Sequence, residues 1–139
     1  MDLLNAKKLL EGSEYTCVLC LDDKVFTSTL RGVAPLIKWT DSGEIPRGFS
    51  AADKAVGKAP ACFYVMMGAK AVYANIMTPP AIEIFDKYGI AHECALEVPM
   101  IRNRTNTDFC PVETAVKNET EPEAAIAAAR RRLAEMSKK

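Results

Sequence analysis

Segments typical of β-strands alternate with segments typical of helices along the centre of the chain, and this alternation constrains the fold most. Two β-prone runs, residues 15–21 and 24–30, stand close enough together to predict a hairpin. Residues 70–77 and 91–98 are also β-prone, and residues 78–88 between them predict a helix that begins at a threonine and two prolines. The chain is therefore predicted to fold as a layered α/β domain, with helices packed on a sheet.

The two ends of the chain are predicted to be helical. Residues 2–11 place leucines and alanines on one helical stripe, and a shorter helix is predicted near residues 35–39. Residues 121–136 are rich in alanine and charge, which favours a helix or a solvated tail. We divide the chain into a domain over residues 1–118 and a charged C-terminal helix or tail over residues 119–139.

A first polar segment stands where an apolar helix is expected to begin. Ser50 and Asp53 have the spacing of a capping box, which predicts a helix from Ser50 to about Met67. Lys54 and Lys58 would then lie one turn apart on one face of that helix. Because a helix N-terminus favours negative charge, we expect Asp53 to orient the helix start and the lysines to contact an anionic ligand.

A second polar segment, residues 103–113, precedes another predicted helix. Cys110 stands before Pro111, a favoured first helical residue, and Glu113 is placed to reach back as a cap. The helix dipole would give the Cys110 thiol thiolate character, although an inert, partly buried cysteine fits the pattern equally well. The candidate catalytic residues are Cys110 and Asp53, and the candidate ligand-binding residues are Lys54, Lys58, Asn103, Arg104, Thr107 and Glu113.

Composition excludes several classes of protein. Lys and Arg balance Asp and Glu at 18 each, so the chain lacks the basic field that drives general nucleic-acid binding. No apolar run reaches the roughly 20 residues that a transmembrane helix needs, and the polar start lacks a signal-peptide core. We therefore expect a cytoplasmic protein that does not bind membranes.

The cysteines and the single histidine do not form a pattern typical of a metal site. Five cysteines in a chain without an export signal indicate reduced thiols. Cys17 and Cys20 form C-x-x-C within a β-prone run, and residues three apart on a strand point to opposite faces, so we expect two buried thiols that do not meet. His92 is interpreted as a structural residue. No metal and no cofactor are predicted.

Three short motifs together resemble an uncharacterised prokaryotic family, domain of unknown function 1893. These are Ala-Asp-Lys-x-x-Gly-Lys-Ala at residues 52–59, Asn103-Arg104, and Cys110-Pro111-x-Glu113, and the resemblance extends from the first hairpin to about Asn118. It implies a cytidine deaminase-like, three-layer α/β/α fold with a mixed sheet and a pocket where the helix starts face one sheet edge. It implies no established activity.

Zinc deaminases carry H-x-E or C-x-E at one helix start and P-C-x-x-C at the next. If Asp53 takes the place of the glutamate, Ala51 stands at the ligand position, and Pro80 and Glu83 stand where the two cysteines belong. Deamination by the ordinary zinc-dependent route is therefore not expected, because function depends on the site and not on the scaffold.

Three functions are compatible with these residues. The leading hypothesis is a deaminase-like domain that lacks the zinc ligands and binds a small polar or phosphorylated molecule, nucleotide-like ligands included. The second is an enzyme that uses Cys110 as a nucleophile or redox thiol. The third is a non-catalytic interaction module that forms homo-oligomers.

Overall fold

A five-stranded mixed sheet forms the centre of the structure, a computed structural model that describes residues 2–30, 32–101 and 111–137. The strands are β1 (Cys17–Leu21), β2 (Lys24–Ser28), β3 (Ser50–Val56), β4 (Ala71–Met77) and β5 (Ala91–Glu97). The strand order is β2-β1-β3-β4-β5; β1 runs antiparallel to β2 and β3, whereas β3, β4 and β5 run parallel.

Helices cover both faces of the sheet and complete three α/β/α layers. They are α1 (Asp2–Glu11), α2 (Ala34–Ser42), α3 (Lys58–Met67), α4 (Pro79–Tyr88), α5 (Pro111–Val116) and α6 (Pro122–Ser137). Among the described helices, α1 is the one that packs on one face, where Ala6 and Leu10 join a small core with residues of β1, β3 and β4. On the other face α3 lies at the centre of the main core and contacts α2, α4, α5 and α6. The predicted layered α/β fold is confirmed.

Most of the predicted elements are present. The first helix, the hairpin and the strands at β4 and β5 lie where the sequence places them. Thr78 is the N-cap of α4, and Gly89 ends that helix in a left-handed conformation, with a φ of 71°, that glycine adopts readily. The C-terminal residues were predicted to form a helix or a tail, and they form a helix over Pro122–Ser137. The domain boundary at residue 118 stays a prediction.

The helix predicted from Ser50 to about Met67 is wrong in its first half. Residues Ser50–Val56 form β3, and the helix begins only at Lys58, after Gly57. Strand β3 lies between β1 and β4 and is covered on both faces, since Ala51 belongs to the main core and Ala52 to the core under α1. Burial of small residues on both faces removes the alternation that identifies a half-exposed strand, and it outweighs the helix propensity of alanine.

The C-x-x-C prediction is confirmed. Cys17 belongs to the main core and Cys20 to the core under α1, so the two thiols lie on opposite faces of β1. Both are free. In the described part of the chain, no helix combines the length and the apolar character needed to cross a membrane.

Candidate functional site

A cavity of about 790 Å³ opens where the parallel strands end and the helices α3 and α4 begin. In open α/β sheets ligands bind at this carboxyl edge, and pockets for small molecules commonly measure about 300–1,000 Å³. We call this cavity the carboxyl-edge pocket. Its described lining consists of Lys58, Thr78, Pro80, Glu83, Ile84, Lys87, Pro99, Met100, Ile101, Glu113, Thr114, Lys117, Glu119 and Thr120.

Glu113 caps the start of α3 from a different helix. One carboxylate oxygen accepts a hydrogen bond from the backbone N–H of Lys58 at 2.7 Å, and the other accepts one from Ala59 at 2.9 Å. A Cβ atom at Gly57 would lie less than 3.0 Å from all three atoms of the Glu113 carboxyl group, so this close approach requires glycine. Glu113 was expected to cap its own helix; instead it joins α5 to α3 across the fold.

The environment of Glu113 favours its neutral form more than water does. Burial raises the pKa of its carboxyl group, while the N–H groups of Ala59 and Lys58, and then the Lys58 charge, act in the opposite direction. The ammonium group of Lys58 donates to the backbone carbonyl of Lys117 at 3.1 Å. Lys58 therefore holds α5 at its C-terminal end while Glu113 holds it at its start.

The start of α4 is capped within its own segment. The Thr78 side chain is 2% exposed, and its Oγ1 accepts a hydrogen bond from the Ala81 N–H at 3.4 Å. Pro79 and Pro80 occupy the first two helical positions and have no N–H group. Ile82 donates to the Thr78 carbonyl, as in an ordinary first helical turn.

Asp53 lies away from the pocket, beneath α3. The residue is 7% exposed, and its carboxylate accepts a hydrogen bond from the Tyr64 hydroxyl at 2.7 Å. The Cys17 sulfur lies 3.2 Å from the same hydroxyl oxygen. Burial raises the pKa of Asp53 to about 6, although hydrogen bonds from Tyr64 and from the backbone of Lys54 and Ala55 stabilise its charge.

Asp53 and Lys54 therefore do not form a helix start. Both belong to β3, so Asp53 caps no helix and Lys54 is not one helical turn before Lys58. Lys54 is exposed, and neither residue lines the carboxyl-edge pocket. A catalytic role for Asp53 stays a prediction.

The structure brings together two of the predicted site residues, Lys58 and Glu113, in one pocket. Four others lie outside the described residues, so their roles stay predictions: Asn103, Arg104, Thr107 and Cys110. His92 contacts Asp86 through Nε2 at 2.8 Å and stacks on Phe85, as expected for a structural histidine.

Several residues of the pocket lining were not among the predicted site residues. Thr78 precedes α4, Lys87 lies in its last turn, and Pro99, Met100 and Ile101 begin two residues after the end of β5. The rule that ligands bind beyond the carboxyl ends of parallel strands would have indicated Thr78 and the residues after β5, once β3, β4 and β5 were recognised as parallel neighbours, but it would not have indicated Lys87.

Because Ser50–Val56 form β3, the helix start that corresponds to the first zinc-deaminase motif lies later in the chain than predicted. The helix start is now Lys58-Ala59-Pro60-Ala61, which contains no histidine, cysteine or carboxylate. Pro80 and Glu83 do lie in the first turns of α4 and line the pocket. Within the described ranges, no group of three or more His, Cys, Asp and Glu side chains is placed to hold a metal ion.

Comparisons with known proteins identify relatives without an assigned activity. A family model described as "Domain of unknown function (DUF1893)" matches residues 5–133. Among solved structures, the chain is similar to a DUF1893 family protein from Thermotoga maritima, with a TM-score of 0.86 and 24% sequence identity over 94% of this chain and 88% of the other. At that identity the likeness shows the fold alone. No curated protein matches the chain.

Proposed function

The chain belongs to the DUF1893 family. We propose that it is a deaminase-like domain that binds a small polar molecule in the carboxyl-edge pocket, without the ordinary zinc chemistry. The observation that carries the proposal is the cavity itself. It lies at the edge of the sheet where α/β domains bind ligands, and its volume suits a metabolite.

The lining of the pocket supports a ligand with an apolar or ring-shaped part. Pro80 and Ile84 lie one turn apart on α4, and Pro99, Met100 and Ile101 follow β5. Polar side chains from α4, from α5 and from the residues after α5 complete the lining. Apolar walls with a few polar groups are typical of small-molecule sites, in which the polar groups fix the orientation of the ligand.

The cytidine deaminase-like fold is part of this proposal. It is supported by a mixed sheet flanked by helices on both faces, and by two helix starts that adjoin the same pocket. The residues at those starts are not the zinc-binding set: Lys58-Ala59 opens α3, and Pro80 and Glu83 lie in α4. We propose that Lys58 faces the bound ligand, and that Asn103, Arg104 and Thr107 add polar contacts.

A thermal-shift screen of small polar and phosphorylated metabolites at millimolar concentration tests the proposal. A ligand that binds the native state raises Tm, by an amount that grows with its concentration relative to Kd. Thr120→Trp fills the exposed part of the pocket and should abolish the shift, whereas Thr27→Trp, on the exposed edge strand β2, should preserve it. No stabilisation by any compound, or equal stabilisation of Thr120→Trp, would refute the proposal.

A further inference from the structure

Helix α5 and the residues that follow it form one wall of the carboxyl-edge pocket. We call this the α5 wall, and it consists of Glu113, Thr114, Lys117, Glu119 and Thr120. The helix itself has six residues, and isolated helices of that length are not stable in water. Contacts with the rest of the protein therefore set the place of α5, and with it the shape of this wall.

The side of α5 that faces the core is held by apolar contacts. Val112 and Val116 are 7% and 0% exposed, and they belong to the main core, which also contains residues of α3 and α6. Hydrophobic contacts have no preferred direction. They hold α5 close to the core, but they constrain its rotation about its own axis less firmly. That rotation decides which side chains form the α5 wall.

Directional hydrogen bonds at both ends of α5 constrain the rotation. At the start of the helix, the Glu113 carboxylate accepts hydrogen bonds from the N–H groups of Lys58 and Ala59. Just past its end, the Lys117 carbonyl accepts one from the Lys58 ammonium group. Because hydrogen bonds weaken steeply when they are misaligned, a rotation or shift of α5 would weaken all three bonds together.

The α3 start and the Glu113 carboxylate are in close contact. A Cβ atom at Gly57 would lie less than 3.0 Å from the three atoms of the carboxyl group, so the carboxylate would have to move if a side chain stood there. The Lys58 ammonium group has three donor hydrogens, so it can bind the Lys117 carbonyl and still face a ligand. Glu113 joins two helices, and Lys58 can serve both the helix contact and the ligand.

From these contacts we infer that Glu113 is a positioning residue: it holds α5 in the orientation that builds the α5 wall, and it thereby sets the affinity of the carboxyl-edge pocket for its ligand. The inference rests on the proposed function and adds how that site is controlled. Ligand binding and the docking of α5 are then coupled. By linkage, the ligand stabilises the docked helix by the same factor by which docking raises the ligand affinity.

Amide exchange of the ligand-free protein, followed by NMR, tests whether Glu113 holds α5. Glu113→Ala should speed exchange over residues 112–117 at least about tenfold, and Glu113→Gln, which keeps one acceptor oxygen, should have a smaller effect. Gly57→Ala should also speed this exchange, because the added Cβ displaces the carboxylate without altering its chemistry. Val18→Ala, in the core under α1, is the control for a general loss of stability and should leave exchange over residues 112–117 nearly unchanged.

Calorimetry at 25 °C with a compound that raises Tm in the metabolite screen tests the effect on affinity. In the folded variants, Kd should rise at least about fivefold for Glu113→Ala and for Gly57→Ala and less for Glu113→Gln, and it should not change for Val18→Ala. The same compound should slow amide exchange over residues 112–117 of the wild type. A loss of stability alone would not change Kd in this way.

Three results would overturn the inference and leave the proposed function in place. The first is unchanged exchange over residues 112–117 in Glu113→Ala. The second is an unchanged Kd in a variant whose α5 exchanges fast. The third is weaker binding by Glu113→Ala but not by Gly57→Ala, because Glu113 would then contact the ligand and not position the helix.

Two further outcomes are also decisive. If Glu113→Ala does not fold, Glu113→Gln and Gly57→Ala decide, and exchange as slow as in the wild type for both overturns the inference. If no compound raises Tm, the proposed function is refuted and the claim about affinity falls with it. The exchange experiment then still decides whether Glu113 holds α5.

Discussion

Replacing Asp53 by asparagine should change how the stability of the protein depends on pH. Burial raises the pKa of Asp53 from 3.8 to about 6, so between these two pH values the native state holds a proton that the unfolded chain has released. Stability therefore falls as pH rises through this window. Asparagine is nearly isosteric and uncharged, and it can still accept the hydrogen bond from Tyr64.

The size of the effect follows from the two pKa values. Their difference corresponds to about 3 kcal/mol, at about 1.4 kcal/mol for each pH unit. The free energy of unfolding of Asp53→Asn minus that of the wild type should rise by most of this amount from pH 4 to pH 7, and the remainder lies below pH 4. A constant loss of about 1 kcal/mol is expected at every pH, because the amide nitrogen of asparagine cannot accept a backbone N–H.

Urea unfolding of both proteins at several pH values between 4 and 8 measures this difference. Asp23→Asn is the matched control, since Asp23 is an exposed carboxylate in the β1–β2 turn, and its difference from the wild type should stay nearly constant over the same range. A flat or falling curve for Asp53→Asn would show that the buried carboxyl group does not bind its proton more tightly in the native state.

Substitutions at two positions and one oxidation experiment test the packing of the site and the sheet. Gly57→Ala should destabilise the protein by about 1–3 kcal/mol, because the added Cβ collides with the Glu113 carboxyl group. In a double-mutant cycle the same substitution should cost less in the Glu113→Ala background, and an unchanged cost would refute the clash. Thr78→Ala should cost about 1 kcal/mol in urea unfolding through the lost α4 cap, while Thr78→Ser should cost less; equal costs would argue against the cap. Cys17 and Cys20 should not form a disulfide in the native protein under mild oxidant, as mass spectrometry of tryptic peptides can check, whereas a native C17–C20 bond would contradict the opposite faces of β1.

The sequence was sufficient for elements whose signals are local. The helix α4 has a threonine cap, two prolines and a terminal glycine, and the structure uses each of them as expected. The β1–β2 hairpin is formed by two β-prone runs joined by a short turn. In such segments the neighbouring residues determine the backbone conformation, so the place of the segment in the fold does little to alter that conformation.

The sequence was not sufficient where contacts between residues far apart in the chain determine the local structure. Ser50-Ala-Ala-Asp53 has the spacing of a helix cap, yet the segment pairs with β1 and β4 and becomes a central strand. Glu113 caps a helix that begins 55 residues earlier in the chain, which no local pattern could indicate. Both errors arise because tertiary burial and long-range hydrogen bonds outweigh local propensity.

Amide NMR of the labelled protein, titrated with a compound that raises Tm in the metabolite screen, tests most sharply whether the carboxyl-edge pocket binds the ligand. We expect chemical-shift changes concentrated at Lys58, Thr78, Ile84 and Thr114, which line the pocket, with little change at Val25 in β2. Changes centred on α1 or on the β1–β2 hairpin, with the pocket amides unaffected, would contradict it.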